Sequence, residues 1–288
     1  MFDKEFNIMK EAILYVGDNI FLKGASKKTS KGKSDYFTDK DIACEKYIID
    51  TIKSNFLNDN IISEETNSYN DLKDRSWIID PIDGTLNYMN GLKECGIQVA
   101  FYANGECQFA IIYLPYFKEL YFAKKGEGAF LNDKKLDISP VEINSTDLEI
   151  VKLQNNIIYK LVPDILKIRM FGAACYNFVV VATSKTSAHI LVGKKLNVWD
   201  TMPGLFICKE AGANTVDIQY NGYNIVIAAD TEMLIELIVK VIKEEIDKLI
   251  EEYIYGDRVT FSLWRFDENL SDTDIEVIKK LEGKEIRC

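Results

Sequence analysis

One nine-residue run restricts this chain more than any other: Trp77-Ile78-Ile79-Asp80-Pro81-Ile82-Asp83-Gly84-Thr85. Its opening residues are apolar without alternation, the pattern of a strand buried on both faces and covered by other layers. Such a strand delivers Asp80 to its carboxyl end, and Pro81 stiffens the turn. Asp83 follows three residues on, so both carboxylates point into one small volume. Gly84 lets the backbone turn closely, and Thr85 opens a helix whose first N–H groups and positive dipole end suit an anion.

Two carboxylates beside an anion site repel a phosphate unless hard cations sit between them. Mg²⁺ takes oxygen ligands and shares carboxylates with phosphate oxygens. Two such ions hold both an attacking water and a leaving oxygen. An isolated Asp-x-x-Asp-Gly is equally compatible with a plain turn, so further acids bear on the choice. Ile61-Ile62-Ser63-Glu64-Glu65 is a second apolar stretch ending in acids, although Glu64-Glu65 alone reads as a solvated loop. Asn197-Val198-Trp199-Asp200-Thr201 puts another acid at a helix start, where capping alone would explain it. Acids recurring at three element boundaries are harder to dismiss together.

The remaining pattern is α+β, with mixed sheets and covering helices. Phe2, Phe6, Met9, Ile13, Val16 and Ile20 form one helix face, closed by Gly24. A mobile loop is expected from Lys23 to Ser34. A second helix carries Ile42, Ile49, Ile52 and Phe56 on one face, with Asp39 or Asp41 near its start. Strands are expected at Ile97–Tyr102 and Phe109–Tyr113, joined at Asn104-Gly105, then at Leu120–Ala123 and Ala129–Leu131. After about Ser139 the pattern is βα: strands at Ile168–Met170, Ala188–Val192 and Ile225–Ala228; helices at Gly172–Thr183 and Thr201–Glu210; then a long helix capped by Asp230 and running to about Tyr253. Pro203 is placed near a helix start, where proline is tolerated. The chain thus divides into an N-terminal half (1–139), a C-terminal half (140–255) and an appendage (256–288). In the appendage Val259, Phe261 and Leu263 alternate, and Ser271-Asp272-Thr273-Asp274 resembles a capping box.

Composition narrows the functional classes. With 288 residues and a net charge of −10, the chain is a poor binder of nucleic acid or anionic membranes. No apolar run spans a bilayer and no leader pattern opens the chain, so a cytoplasmic location is expected. The six cysteines form no CxxC pair, and the single His189 cannot complete a Cys/His zinc set. They read as free thiols. His189 sits in the apolar stretch Ala188-His189-Ile190-Leu191 and reads as a strand residue rather than a catalytic base.

On these residues the chain resembles the inositol monophosphatase family of Mg²⁺-dependent, lithium-sensitive phosphatases. Asp80-Pro81-Ile82-Asp83-Gly84-Thr85 matches its central motif completely. Trp199-Asp200 through Glu210-Ala211-Gly212 matches its second motif, and Glu64-Glu65 stands at the expected distance upstream. Phe37-Thr38 ahead of Asp41, Lys125 to Phe130, and Gly172-Ala173-Ala174 are also similar, so the resemblance runs from about Met9 to Glu245. It implies a layered αβαβα sandwich of the sugar-phosphatase type, a homodimer, and a small phosphorylated metabolite as substrate. It also implies that Glu64, Asp80, Asp83, Asp200 and the Ile82 carbonyl hold Mg²⁺. Thr85 and Asp41 would orient and deprotonate water, and Glu64 would share in catalysis. The Gly84 and Thr85 amides would hold phosphate, with Gly172 and Ala173 lining the substrate side. The family's loop lysine corresponds to Lys31 or Lys33.

Inositol-specific members carry an acid seven residues before the Trp-Asp aspartate, where this chain has Gly193 followed by Lys194 and Lys195. Lys194 would suit a second phosphate, as in fructose 1,6-bisphosphate, although a surface hairpin explains it equally. Pro203 replaces a small residue. The expected reaction is hydrolysis of a sugar or polyol phosphate by direct attack of metal-activated water. Alternatives are a fructose-1,6-bisphosphatase, a 3′-phosphoadenosine 5′-phosphate phosphatase (weaker, because that branch has other residues after Gly-Thr), and a non-catalytic regulator retaining the fold.

Overall fold

The computed structural model describes residues 2–25, 27–30, 36–67, 71–140, 145–150 and 167–255. Lys31, Lys33 and the expected appendage at 256–288 lie outside the described residues.

Helix α1 (Asp3–Asn19) buries Phe6, Met9, Ile13 and Val16, the stripe expected from their spacing. Strands β1 (Lys28–Ser30) and β2 (Tyr36–Thr38) pair antiparallel, so part of the expected loop after Lys23 is instead a short ribbon. Helix α2 (Asp39–Asn55) begins with a capping box between Thr38 and Asp41. Ile42 is exposed, and Asp41 and Glu45 take buried positions on α2 instead, a swap of apolar for acidic that helical periodicity does not anticipate.

Among the described residues the first sheet has seven strands in the order β3 to β9: β3 (Asn60–Ser63), β4 (Ser76–Asp83), β5 (Gly96–Ala103), β6 (Glu106–Leu114), β7 (Glu119–Lys124), β8 (Gly128–Leu131) and β9 (Lys134–Lys135). Only β3 and β4 are parallel within it. Helix α3 (Thr85–Asn90) connects β4 to β5. Asn104 and Gly105 take φ of 56° and 83° between β5 and β6, the left-handed pair that a two-residue hairpin requires.

The second sheet, in the order β11-β10-β12-β14-β13, contains β10 (Ser145–Ile150), β11 (Lys167–Arg169), β12 (Ala188–Gly193), β13 (Asn214–Tyr220) and β14 (Tyr223–Ala229). Between the sheets lie α4 (Ala174–Ala182) and α5 (Val198–Glu210), and α6 (Glu232–Tyr255) covers the far face of the second. Side-chain alternation writes these layers directly. In β6, Phe109, Ile111 and Tyr113 join the core beneath α1 and α2, while Ala110, Ile112 and Leu114 join the core shared with α4 and α5. In β14, Val226 and Ala228 face that middle core, and Ile225 and Ile227 face α6. The protein is therefore an α+β sandwich layered αβαβα.

Several boundaries differ from expectation. α5 begins at Val198, three residues early, so Pro203 lies inside it and removes one backbone N–H from the helix ladder. α4 begins at Ala174 because Gly172 is left-handed, with φ of 78°. The cap of α6 is Thr231, whose Oγ1 accepts the Leu234 N–H at 3.3 Å, rather than Asp230. β13 has no counterpart in the expected elements.

Candidate functional site

Strand β4 does not stop at Asp80 but continues to Asp83, with all eight of its residues buried. Asp80 pairs with Gln98 and Asp83 with Gly96, so β4 carries one extra residue there. In a regular strand, residues three apart face opposite sides; the bulge restores a shared side, and Pro81 sits within it where no ladder N–H is needed. Asp80 Oδ1 accepts the Ile82 N–H at 3.1 Å, closing a local Asx turn, and Gln98 Nε2 donates to Oδ2 at 3.4 Å.

Gly84 then turns the chain with φ of 80°, and a Cβ there would meet the Ala173 Cβ at 2.7 Å. Conformation and space both require glycine. Thr85 Oγ1 lies 2.9 Å from the Ile82 carbonyl oxygen and 3.1 Å from Asp41 Oδ1. The other Asp41 oxygen accepts from the Thr38 amide and hydroxyl, so the α2 capping box also fixes the partner of Thr85.

Asp83 serves a second purpose. The first turn of α4 has no side-chain cap from Ala173, and the Asp83 carboxylate accepts the Cys175 N–H in its place. Asp200 arrives from the first turn of α5, where Asn197 Nδ2 donates to its Oδ2 at 3.0 Å. One oxygen each from Asp80, Asp83 and Asp200 lies within 4.8 Å of the others. They sit in a cavity of about 200 Å³, also lined by Tyr36, Glu64, Ile82, Gly84, Thr85, Leu86 and Gly172.

The electrostatics follow from this packing. Burial pushes the Asp80 carboxyl well above its ordinary value, and the charges of Glu64, Asp83 and Asp200 push it further. Burial also raises Asp83, against the lowering effect of its backbone hydrogen bonds, and raises Asp41 against the bonds from Thr38 and Thr85. A cluster of acids that resists ionisation in isolation is one that a cation would relieve. Every donor offered is oxygen, which suits a hard cation rather than zinc. The five described cysteines are free, and burial raises the thiols of Cys44, Cys95, Cys107, Cys175 and Cys208, so none is poised as a nucleophile. His189 is buried in β12 with its ring edge-on to Phe178, away from the cavity.

Of the residues singled out from sequence, Glu64, Asp80, Ile82, Asp83, Gly84, Thr85, Gly172 and Asp200 line one cavity, and Asp41 stands directly behind Thr85. Ala173 is buried against Gly84 rather than lining the cavity, and Lys194 is exposed, its carbonyl accepting from Asn224. Tyr36 and Leu86 were not anticipated as lining residues, because no motif marks them. Asn87 was also missed. Its Nδ2 donates to the Glu94 and Phe171 carbonyls at 2.7 and 2.6 Å, holding α3 against the Gly172 turn.

A family model described as the inositol monophosphatase family matches residues 5–254. The chain is 30% identical over 230 residues to a Thermotoga maritima protein named fructose-1,6-bisphosphatase/inositol-1-monophosphatase, covering 77% of this chain and 88% of that one. It is 31% identical over 241 residues to a Haemophilus influenzae protein named Nus factor SuhB, covering 78% and 90%. The solved structure of a Thermotoga maritima IMPase superposes with a TM-score of 0.74 at 28% identity, covering 86% of this chain and 99% of that one. The SuhB structure from Bartonella henselae shares the fold, with a TM-score of 0.72 at 23% identity over 83% and 98% of the two chains.

Proposed function

The chain belongs to the inositol monophosphatase family, and from that premise we propose that it is a Mg²⁺-dependent phosphomonoesterase of small sugar or polyol phosphates of the inositol-1-phosphate type. The observation that carries this reading is the convergence of Asp80, Asp83 and Asp200 within 4.8 Å. Those three acids, with Glu64 and the Ile82 carbonyl, would hold the cation. Bound there, Mg²⁺ supplies Lewis-acid stabilisation of charge on phosphoryl and water oxygens.

The chain's own groups do the rest. Thr85 donates its hydroxyl proton toward Asp41, which leaves the Oγ1 lone pairs to accept a proton from water. Burial raises the Asp41 carboxyl, making it a better proton acceptor. The Gly84 and Thr85 amides would hold the phosphate, with Gly172 lining the substrate side of the cavity. Buried thiols and a remote His189 favour direct attack by water over a covalent intermediate. A homodimer belongs to the same proposal and is checked by sedimentation.

Two other readings have specific support. The Thermotoga relative's name joins bisphosphatase to monophosphatase activity, which supports fructose 1,6-bisphosphate as a substrate. The Haemophilus relative is named for a Nus factor, which supports a regulatory role. A phosphate-release screen over inositol 1-phosphate, fructose 1,6-bisphosphate and 3′-phosphoadenosine 5′-phosphate, with and without Mg²⁺, separates them. The proposal expects Mg²⁺-dependent release, greatest with the monophosphate. A bisphosphate preference lost in Lys194→Ala favours the second reading. Absence of release from every substrate favours a regulator.

A further inference from the structure

Helix α2 carries two buried acids one turn apart, Asp41 and Glu45, exposed to 0% and 1%. Asp41 holds Thr85 on one wall of the cavity. Glu45 reaches the other wall: its Oε2 accepts the Glu65 N–H at 2.9 Å, and its Oε1 accepts the Thr66 hydroxyl. The residue between these bonds and β3 is Glu64, which lines the cavity. On its other side Glu64 is tied by its own N–H to the Ile79 carbonyl at 3.2 Å, extending the pairing of β3 with β4. The backbone of Glu64 is thus held from both directions, by the sheet before it and by Glu45 after it.

We infer that Glu45 is a positioning residue that fixes the Glu64 segment against α2 and thereby sets the cation affinity of the site. The inference rests on the reading of Glu64 as a cation ligand proposed above. It goes further in giving one helix control of both walls, Thr85 through Asp41 and Glu64 through Glu45. The physical reason is preorganisation. An acid on a turn is a weak ligand if the turn must be ordered on binding, and partners outside the ligand set are worth about ten- to a hundredfold in metal affinity.

Isothermal titration of the full chain with MgCl₂, alongside thermal unfolding in Mg²⁺-free buffer, tests this. Glu45→Ala is expected to weaken Mg²⁺ binding at least about tenfold. Glu45→Gln is expected to recover most of the loss, since its amide oxygen can accept the Glu65 N–H while its Nε2 donates to Thr66 Oγ1. Thr66→Val, which removes one of the two bonds that Glu45 makes, is expected to weaken binding about threefold. Asp59→Asn is the control. Asp59 is a buried carboxylate bonded to Arg75 and Trp77 and outside the cavity lining, so its loss should lower Tm and leave Mg²⁺ affinity alone. If Glu45→Ala and Thr66→Val behave like that control, the inference is overturned while the metal reading stands. If Glu45→Ala yields no folded protein, Thr66→Val and Glu45→Gln decide. A wild-type chain that takes up no Mg²⁺ overturns the metal reading and this inference together.

Discussion

The two ends of strand β4 put burial to opposite uses. At its start Trp77 is fully buried, packed on Phe56, Phe101 and Phe109 with ring centroids 5.5, 4.6 and 5.8 Å away, and its indole N–H reaches Asp59 at 2.9 Å. Every group there is satisfied, so burial stabilises. At the other end, burial falls on Asp80 and Asp83, and Asp80 also meets the charges of Glu64, Asp83 and Asp200. The aromatic end thus supplies stability that offsets the cost of burying acids at the other.

The largest effect is expected from breaking the aromatic end. Trp77→Ala should lose about 3–5 kcal/mol in urea denaturation, with the protein that remains folded keeping its Mg²⁺ affinity. Breaking the acidic end should give opposite signs in two measurements. Asp83→Asn is expected to lower Mg²⁺-dependent phosphate release by about 10²–10³ while raising Tm in metal-free buffer, because a charge leaves the cluster and the Asn carbonyl still accepts from Cys175.

A smaller effect concerns pH. Asp41, Asp80 and Asp83 are raised from an ordinary value of 3.8, so above that value the unfolded chain has lost protons that the folded chain still holds. Stability therefore falls as pH rises through the raised values. The metal-free Tm should decline as pH rises above the ordinary carboxyl value of 3.8, and the Tm gain on adding Mg²⁺ should grow in the same direction. Calorimetric scans at several pH values check both slopes. The smallest effect is at the cavity wall. Tyr36→Phe removes the hydroxyl of a residue that lines the cavity and should raise KM by about three- to tenfold, the worth of one hydrogen bond, with kcat and Mg²⁺ affinity unchanged.

What the sequence made legible follows the same contrast. The motif Asp80 to Thr85 was readable because its residue types are costly together without a cation, and the Asn104-Gly105 hairpin because few residues tolerate its φ values. Asn221-Gly222 carries the same hairpin chemistry, with φ of 48° and 80°, yet β13 went unread. Its Val216, Ile218 and Tyr220 alternate with exposed Asp217 and Gln219, the period of a half-buried strand, so the signal was present but lacked the continuous apolar run that marked the buried strands. The bulge that turns Asp80 and Asp83 to one side was invisible, because register is a property of the pair β4 and β5 rather than of either strand. Glu45 and Tyr36 escaped for a related reason: their partners and their cavity come from chain paths that no local pattern encodes. The role of Asp41 was reachable only through family resemblance, since locally it reads as a helix cap.

Acids from β4 and α5 converge to form the proposed cation site. The most direct test is a crystal soaked in Mn²⁺ as a substitute for Mg²⁺ and measured for anomalous scattering. A strong peak bonded to oxygens of Asp80, Asp83 and Asp200 is expected, absent in an Asp83→Asn crystal soaked identically. No peak within bonding distance of those oxygens at millimolar Mn²⁺ would contradict it.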